Sequence, residues 1–201
     1  MLKKIVLASK NKAKIREIEA ILSGFPLIVK SLNDYPDMPD VIEDGLTFFQ
    51  NAYKKAKTIS EWTSEPALAD DSGLEVNCLN GEPGIFSARY AGSNASDIEN
   101  ISKLLDKMRG IPVEQRGAAF RCVVVLYQPN GECFSFEGGW NGAIAEAPAG
   151  RGGFGYDPVF YLADRGVTVA DLLPEVKNKI SHRAQALNEL KNYLKHHNTI
   201  F

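Results

Sequence analysis

No stretch of the 201-residue chain approaches the roughly 20 apolar residues that a membrane span requires, so a transmembrane protein is not expected. Charge of one sign is not in excess either: 23 Lys and Arg stand against 25 Asp and Glu. That balance argues against a nucleic-acid partner and against an acidic disordered tail. Cysteine is scarce, with Cys78, Cys122 and Cys133 scattered, odd in number and without a C-x-x-C pair. A disulfide framework and a thiolate zinc site are both disfavoured, and free thiols in a reducing cytoplasm are expected. Lys3 and Lys4 precede only the short run IVLAS before Lys10, which is too short for a secretory signal core. Internal repeats and low-complexity linkers are also missing. What is present is a chain 44% hydrophobic, enough to bury one core, or one core with a small lobe.

Apolar periodicity alternates early between strand and helix. KIVLAS at 4–9 suits a buried strand, and Ile15, Ile18, Ile21 and Leu22 share a face of a helix over about 12–23. Residues 24–44, with Pro26, Pro36 and Pro39, read as a strand plus loop. A second helix is predicted over about 46–62, with Phe48, Ala52, Ala56 and Ile59 near helical spacing, followed by a strand at ALADD. Residues 79–95 are rich in turn formers and read as a long loop. Ser96 and Glu99 form a capping box that opens a helix with Ile98, Ile101, Leu104, Leu105 and Met108 on its apolar face. PNG at 129–131, between AAFRCVVVLYQ and ECFSFEGGW, signals a hairpin. PVFYL reads as a short strand, and residues 181–197 as a last helix with Leu187, Leu190 and Leu194 inward. The pattern is α/β with a mixed sheet.

Five stretches carry candidate chemistry. In ASKNKAKIRE at 8–17, Ser9 and Asn11 are N-cap types, yet Lys10, Lys12 and Lys14 crowd a helix N-terminus. Cations are poorly placed there unless an anion such as phosphate binds; the alternative is a capped surface helix with solvated lysines. Glu43 and Asp44 precede the second helix, where they could simply complement its dipole. Asp70 and Asp71 close an apolar strand, at the strand end where ligands bind in open α/β sheets. Because neighbouring strand residues face opposite ways, the two acids need not share a task. Glu43 with one of them would suffice for Mg²⁺, which keeps waters and phosphate oxygens as its other ligands. GRGGFGYDPVF at 150–160 combines glycines with Phe154 and Tyr156, aromatic faces for a base; a mobile loop packed on the core is the alternative. In KNKISHRAQAL at 177–187, Ser181 is a candidate N-cap, and His182 and Arg183 open a helix with Lys177 just upstream. Together these residues point to a nucleotide and Mg²⁺.

In this order the stretches resemble the ITPase family, also called Ham1 or RdgB-like non-canonical purine NTP pyrophosphatases. The likeness covers nearly the whole chain. It rests on S-x-N-x-x-K-x-x-E (Ser9, Asn11, Lys14, Glu17), E-D-G-x-T-F at 43–48, ADDSGL at 69–74, PGIFSARYAG at 83–92, GGFGYDPVF at 152–160 and SHRAQAL at 181–187. The departures are Gln50, where bacterial relatives often carry Glu, and Lys10 and Lys12, where small residues are common.

The resemblance implies a single domain over 1–201 with an elongated mixed β-sheet flanked by helices, in two lobes with the active-site cleft between them. It implies a homodimer, and hydrolysis of ITP, dITP and XTP to the monophosphate and pyrophosphate, cleansing the nucleotide pool. Carried onto this sequence, Glu43 and Asp71 would hold Mg²⁺, and Asp71 would be the general base. Asp70 would shape the acid cluster or reach the metal through water. Ser9, Asn11 and Lys14 would grip phosphate, with a hydroxyl contact from Ser72. Phe154 would stack on the base, Gly155 and Tyr156 would support the loop, and Asp157 would orient a donor. Lys177 would help bind sugar-phosphate or base, and His182 and Arg183 would donate to the carbonyl at purine position 6. A Maf-like pyrophosphatase and a catalytically silent nucleotide-binding module are the rivals; the FGYD and SHR segments weigh against the first and the retained acids against the second.

Overall fold

The computed structural model describes residues 3–35, 37–38 and 40–196; Pro36 and Pro39 of the expected loop, and His197 of the expected last helix, lie outside them. The first apolar run forms β1 (Lys3–Leu7). It leads into α1 (Lys12–Leu22), whose N-cap is Asn11: the side-chain oxygen accepts from the N–H groups of Ala13 and Lys14. β2 (Leu27–Ser31) pairs parallel to β1. α2 (Phe48–Thr63) then leads to β3 (Ala67–Val76), which pairs parallel to the other side of β1. Parallel neighbours need crossovers, and these helices supply them. α2 starts later than about residue 46 because Thr47 takes the cap, its Oγ1 accepting from Gln50 N–H at 3.1 Å.

The second half is antiparallel. The Ser96–Glu99 capping box opens α3 (Asp97–Lys107). β4 (Gly117–Tyr127) and β5 (Cys133–Ile144) flank the PNG turn, where Gly131 has a positive φ of 90°. β6 (Phe160–Leu162) and β7 (Val167–Thr168) complete a seven-stranded sheet of order β2-β1-β3-β4-β5-β6-β7. β6 begins at Phe160, not Pro158, because the N–H groups of Val159 and Phe160 turn back onto the Tyr156 carbonyl. The expected last helix is α5 (His182–His196), preceded by a short helix that the periodicity did not signal, α4 (Pro174–Ile180), with Ser181 between them in extended geometry. Among the described residues no helix is long and apolar enough to cross a membrane.

The chain forms two compact units. The first comprises Met1–Asp71, Cys122–Gly138 and Arg183–Phe201; the second comprises Ser72–Arg121 and Gly139–His182. In the first, β4 alternates cleanly. Cys122, Val124 and Leu126 join Leu68, Ile15, Ile18, Leu187 and Leu190 on the α1/α5 face. Val123, Val125 and Tyr127 join Ala67, Ala69, Ala52, Ala56 and Ile59 on the α2 face. In the second unit, Ile101 and Leu104 of α3 and Met108 at its C-cap pack with Leu74, Val76, Phe120, Ile144 and Phe160. Arg116 is buried there, and its guanidinium donates to the carbonyls of Ile144, Met108 and Ala145. Ile98, expected inside, is 80% exposed, because the stripe that meets the core runs through Ile101 and Leu104.

Leu104→Ala and Leu187→Ala, each emptying a fully buried site, should cost about 2–5 kcal/mol in urea unfolding. Ile98→Ala should stay within about 0.5 kcal/mol of wild type.

Candidate active site

The aspartate doublet lies in β3, and its two side chains follow the strand's alternation. Asp70 continues the face of Leu68, toward α1 and α5; Asp71 continues that of Ala69, toward α2. Each therefore meets different partners.

On the α1/α5 face, Asp70 is buried and its Oδ2 accepts from Arg183 Nη2 at 3.0 Å, with Lys14 Nζ 3.2 Å away. Arg183 is 1% exposed and also donates from Nη1 to Glu17. Burial alone would push the Asp70 carboxyl up. Lys14 and Arg183 overcome that and hold it well below the usual carboxylate range. Arg183, expected to donate to a base, directs its described N–H groups at Asp70 and Glu17.

On the α2 face, Asp71 Oδ2 accepts from the Asn51 amide at 3.1 Å. Lys55 Nζ lies 3.5 Å from Asp71 Oδ1 and donates to Glu43 Oε1 at 2.6 Å and to the Asp70 main-chain carbonyl at 2.8 Å. Here burial wins: the Asp71 carboxyl is raised, although Lys55 and Lys14 pull it down. Burial would lower Lys55, but Asp71 and Glu43 raise it above its ordinary value, so it stays charged. Asn51 and Lys55 were not among the residues singled out in the sequence. Their signal is an i, i+4 pair of polar residues flanking the apolar stripe of α2. Asn51 also accepts from Gly45 N–H at 2.8 Å, fixing the turn that follows Glu43 and Asp44. Gln50, the departure from the usual Glu, accepts from Leu46 N–H at 2.6 Å.

Ser9 Oγ accepts from Asn11 N–H at 3.2 Å at the start of α1, so Ser9, Asn11 and Lys14 gather at that helix N-terminus. Lys10 is turned to Asp40 in an exposed pair. Cys122 is buried beneath the acids, and burial pushes its thiol up to about 12, so it is no nucleophile.

The second unit carries the aromatic cluster. Asp157 accepts from Phe154 N–H at 2.9 Å and from Lys177 Nζ at 2.5 Å. Lys177 Nζ stands 4.5 Å from the centre of the Phe154 ring, a cation–π contact. Gly155 N–H donates to Asp97 at 2.7 Å, and buried Tyr156 donates its hydroxyl to the Ser87 carbonyl. Gly153 has a φ of 76°, and a Cβ there would collide with the Asp157 carboxylate. His182 is buried and stacks on Phe120 at 4.8 Å. Ser72 is half-buried in β3.

Among the described residues no group of three or more His, Cys, Asp or Glu side chains converges on one point. Glu43 and Asp71 nevertheless converge on a single ammonium, so their oxygens also fit one hard cation that takes its remaining ligands from phosphate and water.

Fold and clusters define an α/β protein with a mixed seven-stranded sheet and a carboxylate pair on a central parallel strand. The chain belongs to the Ham1 family, which it matches over residues 5–193. It is 51% identical to the dITP/XTP pyrophosphatase of Geobacter sulfurreducens over 95% of this chain and 96% of that protein. It is 52% identical to the enzyme of the same name from Geobacillus kaustophilus, over 94% and 93%. The solved structure of a HAM1 protein from Coxiella burnetii superposes with a TM-score of 0.89 at 42% identity, covering 96% of this chain and 99% of that one.

Asp70→Asn takes a carboxylate partner from half-buried Lys14 and from buried Arg183, which keeps Glu17, and should cost about 3–5 kcal/mol; Asp71→Asn relieves a carboxylate that burial disfavours and should cost less than about 1 kcal/mol. The folded value of Asp70 lies below its unfolded one. Its contribution is complete above the unfolded value of about 4 and is lost as pH falls through the folded value. For Asp71 the sign reverses: its charge opposes folding near neutrality, and that opposition fades as pH falls through its raised value. In urea unfolding, the gap between wild type and Asp70→Asn should persist from pH 7 to pH 5; a gap that closes by pH 5 contradicts the assignment.

Proposed function

We propose that the chain is a nucleoside triphosphate pyrophosphohydrolase that converts dITP, ITP and XTP to monophosphate and pyrophosphate, removing deaminated purines from the nucleotide pool. The observation that carries it is the carboxylate Asp71, raised by burial and held by Asn51, beside Lys55 and Glu43. The two relatives named as dITP/XTP pyrophosphatases support the substrate class.

In this mechanism water attacks the α-phosphorus, the bond from that phosphorus to the bridging oxygen breaks, and pyrophosphate leaves. Asp71 accepts the water's proton. A raised carboxyl is a stronger base than an ordinary one, and the Asn51 amide fixes its orientation. Lys14, with Asn11 and Ser9 at the α1 N-terminus, binds phosphate oxygens, and Lys55 adds a second ammonium. Ser72 adds a hydroxyl. Glu43 and Asp71 are the residues that would hold Mg²⁺, which when bound offsets charge on the leaving pyrophosphate. Asp70 with Arg183 positions Lys14. Phe154 stacks on the purine, with Gly155 and Tyr156 shaping its loop and Asp157 orienting Lys177. Lys177 and His182 supply N–H groups for a 6-carbonyl; an amino group there would leave buried donors unpaired, which disfavours adenine.

A homodimer and a reducing cytoplasmic location belong to the same proposal. Free thiols at Cys78, Cys122 and Cys133 are in keeping with that location, and light scattering should give twice the 22.1 kDa of one chain.

With Mg²⁺, purified protein should release pyrophosphate rapidly from ITP and XTP and slowly from GTP and ATP. Asp71→Asn should lower kcat by about 100- to 10,000-fold. No release from any of the four would favour a binding module or a Maf-like substrate instead. Release by Asp71→Asn at the wild-type rate would remove Asp71 from the chemistry.

A further inference from the structure

Lys55 touches both carboxylates assigned to the metal. Its ammonium donates to Glu43 Oε1 at 2.6 Å and to the Asp70 carbonyl at 2.8 Å, and stands 3.5 Å from Asp71 Oδ1. An ammonium has three N–H donors, and here three oxygens surround it. Two are carboxylate oxygens and one is a main-chain carbonyl, the ligand types a hard divalent cation takes. The Lys55 side chain is 12% exposed and Asp71 9%, so little water screens that pair, whereas Glu43, at 32%, keeps more contact with solvent. α2 holds Lys55 in place: Asn51, one turn earlier, is clamped between Gly45 and Asp71. The positive charge thus occupies the point at which Glu43 and Asp71 converge.

We infer that Lys55 is a resident counter-ion that competes with the divalent cation for Glu43 and Asp71, so that the cation binds firmly only together with the nucleotide. This rests on the assignment of Glu43 and Asp71 as the metal residues. A triphosphate offers Lys55 a new set of anionic oxygens. When the ammonium turns to them, the two carboxylates are released to the incoming cation. The two ligands are then coupled through one side chain, and by linkage each raises the affinity of the other by the same factor. Without nucleotide, the ion pair keeps both carboxylates neutralised and the site closed to stray cations.

The test is Mn²⁺ binding, followed by calorimetry and by the loss of free-ion electron paramagnetic resonance signal. Wild type should bind Mn²⁺ weakly alone and at least tenfold more tightly with α,β-methylene-ITP, which cannot be cleaved at the reacting bond. Lys55→Met should bind Mn²⁺ alone at least tenfold more tightly than wild type, and should lose most of the gain from the nucleotide. Lys55→Arg, which keeps the charge, should stay weak. Lys14→Met removes a cation from the opposite face of β3 and should change Mn²⁺ affinity far less than Lys55→Met. Unchanged or weaker Mn²⁺ binding by Lys55→Met overturns the inference. Because that variant leaves two carboxylates uncompensated, its melting is also followed: Mn²⁺ should raise its Tm more than that of wild type, and equal shifts overturn the inference as well. Undiminished Mn²⁺ binding in a Glu43→Gln, Asp71→Asn double variant would instead remove the metal assignment itself, and the inference with it.

Discussion

Successive residues of a β-strand point to opposite faces, and at Asp70 and Asp71 that constraint separates two carboxylates that are adjacent in the chain. The strand is covered on both faces in the first unit, by α1 and α5 on one and α2 on the other. Each acid is therefore delivered into a different helix interface, and the helices decide what it becomes. α1 and α5 bring Lys14 and Arg183, which hold Asp70 ionised. α2 brings Asn51 and Lys55, which leave Asp71 a buried carboxyl raised above its usual value. A one-residue slip of β3 would exchange the two environments, so strand register and site chemistry are fixed by the same apolar pattern.

In the proposed mechanism Asp70 and Asp71 also divide stability from chemistry. A buried ion pair is rarely a strong net source of stability, but removing one member is costly. Asp70, Arg183, Glu17 and Lys14 form such a network around the N-terminal half of α1, where Asn11 caps the helix. It keeps four charged groups at fixed positions next to a helix end suited to phosphate. In the second unit the same division holds. Arg116 is committed to main-chain carbonyls, whereas Lys177 and Asp157 stand at Phe154, on the loop whose glycines allow its tight path.

Features with short-range causes were legible in the sequence. The Ser96–Glu99 box, the PNG hairpin and the period-3.6 stripe of α1 each depend on residues a few positions apart, and each is found in the structure. Boundaries set by turns were less so: the short α4 ahead of Ser181 was not signalled, and the Tyr156 carbonyl delays β6 to Phe160. The aspartate doublet could be recognised as two-faced, but not which partners each face would supply. Arg183 and Asp70 are 113 positions apart, and only the packing of α5 on the sheet brings them together. The partners of the His-Arg pair that opens α5 were equally out of reach: His182 stacks on Phe120 and Arg183 turns to Asp70. Lys55 was missed because a lysine beside an apolar helical stripe looks like a solvated one until its partners are known.

The separation of the two acids is tested most directly by paired double-mutant cycles on unfolding free energy. Asp70→Asn with Arg183→Met should show a coupling of at least about 1.5 kcal/mol, and Asp71→Asn with Arg183→Met a coupling within about 0.5 kcal/mol of zero. Equal coupling of both aspartates to Arg183 would mean that the strand does not divide them, and would contradict the account of one acid that holds the fold and one left to the chemistry.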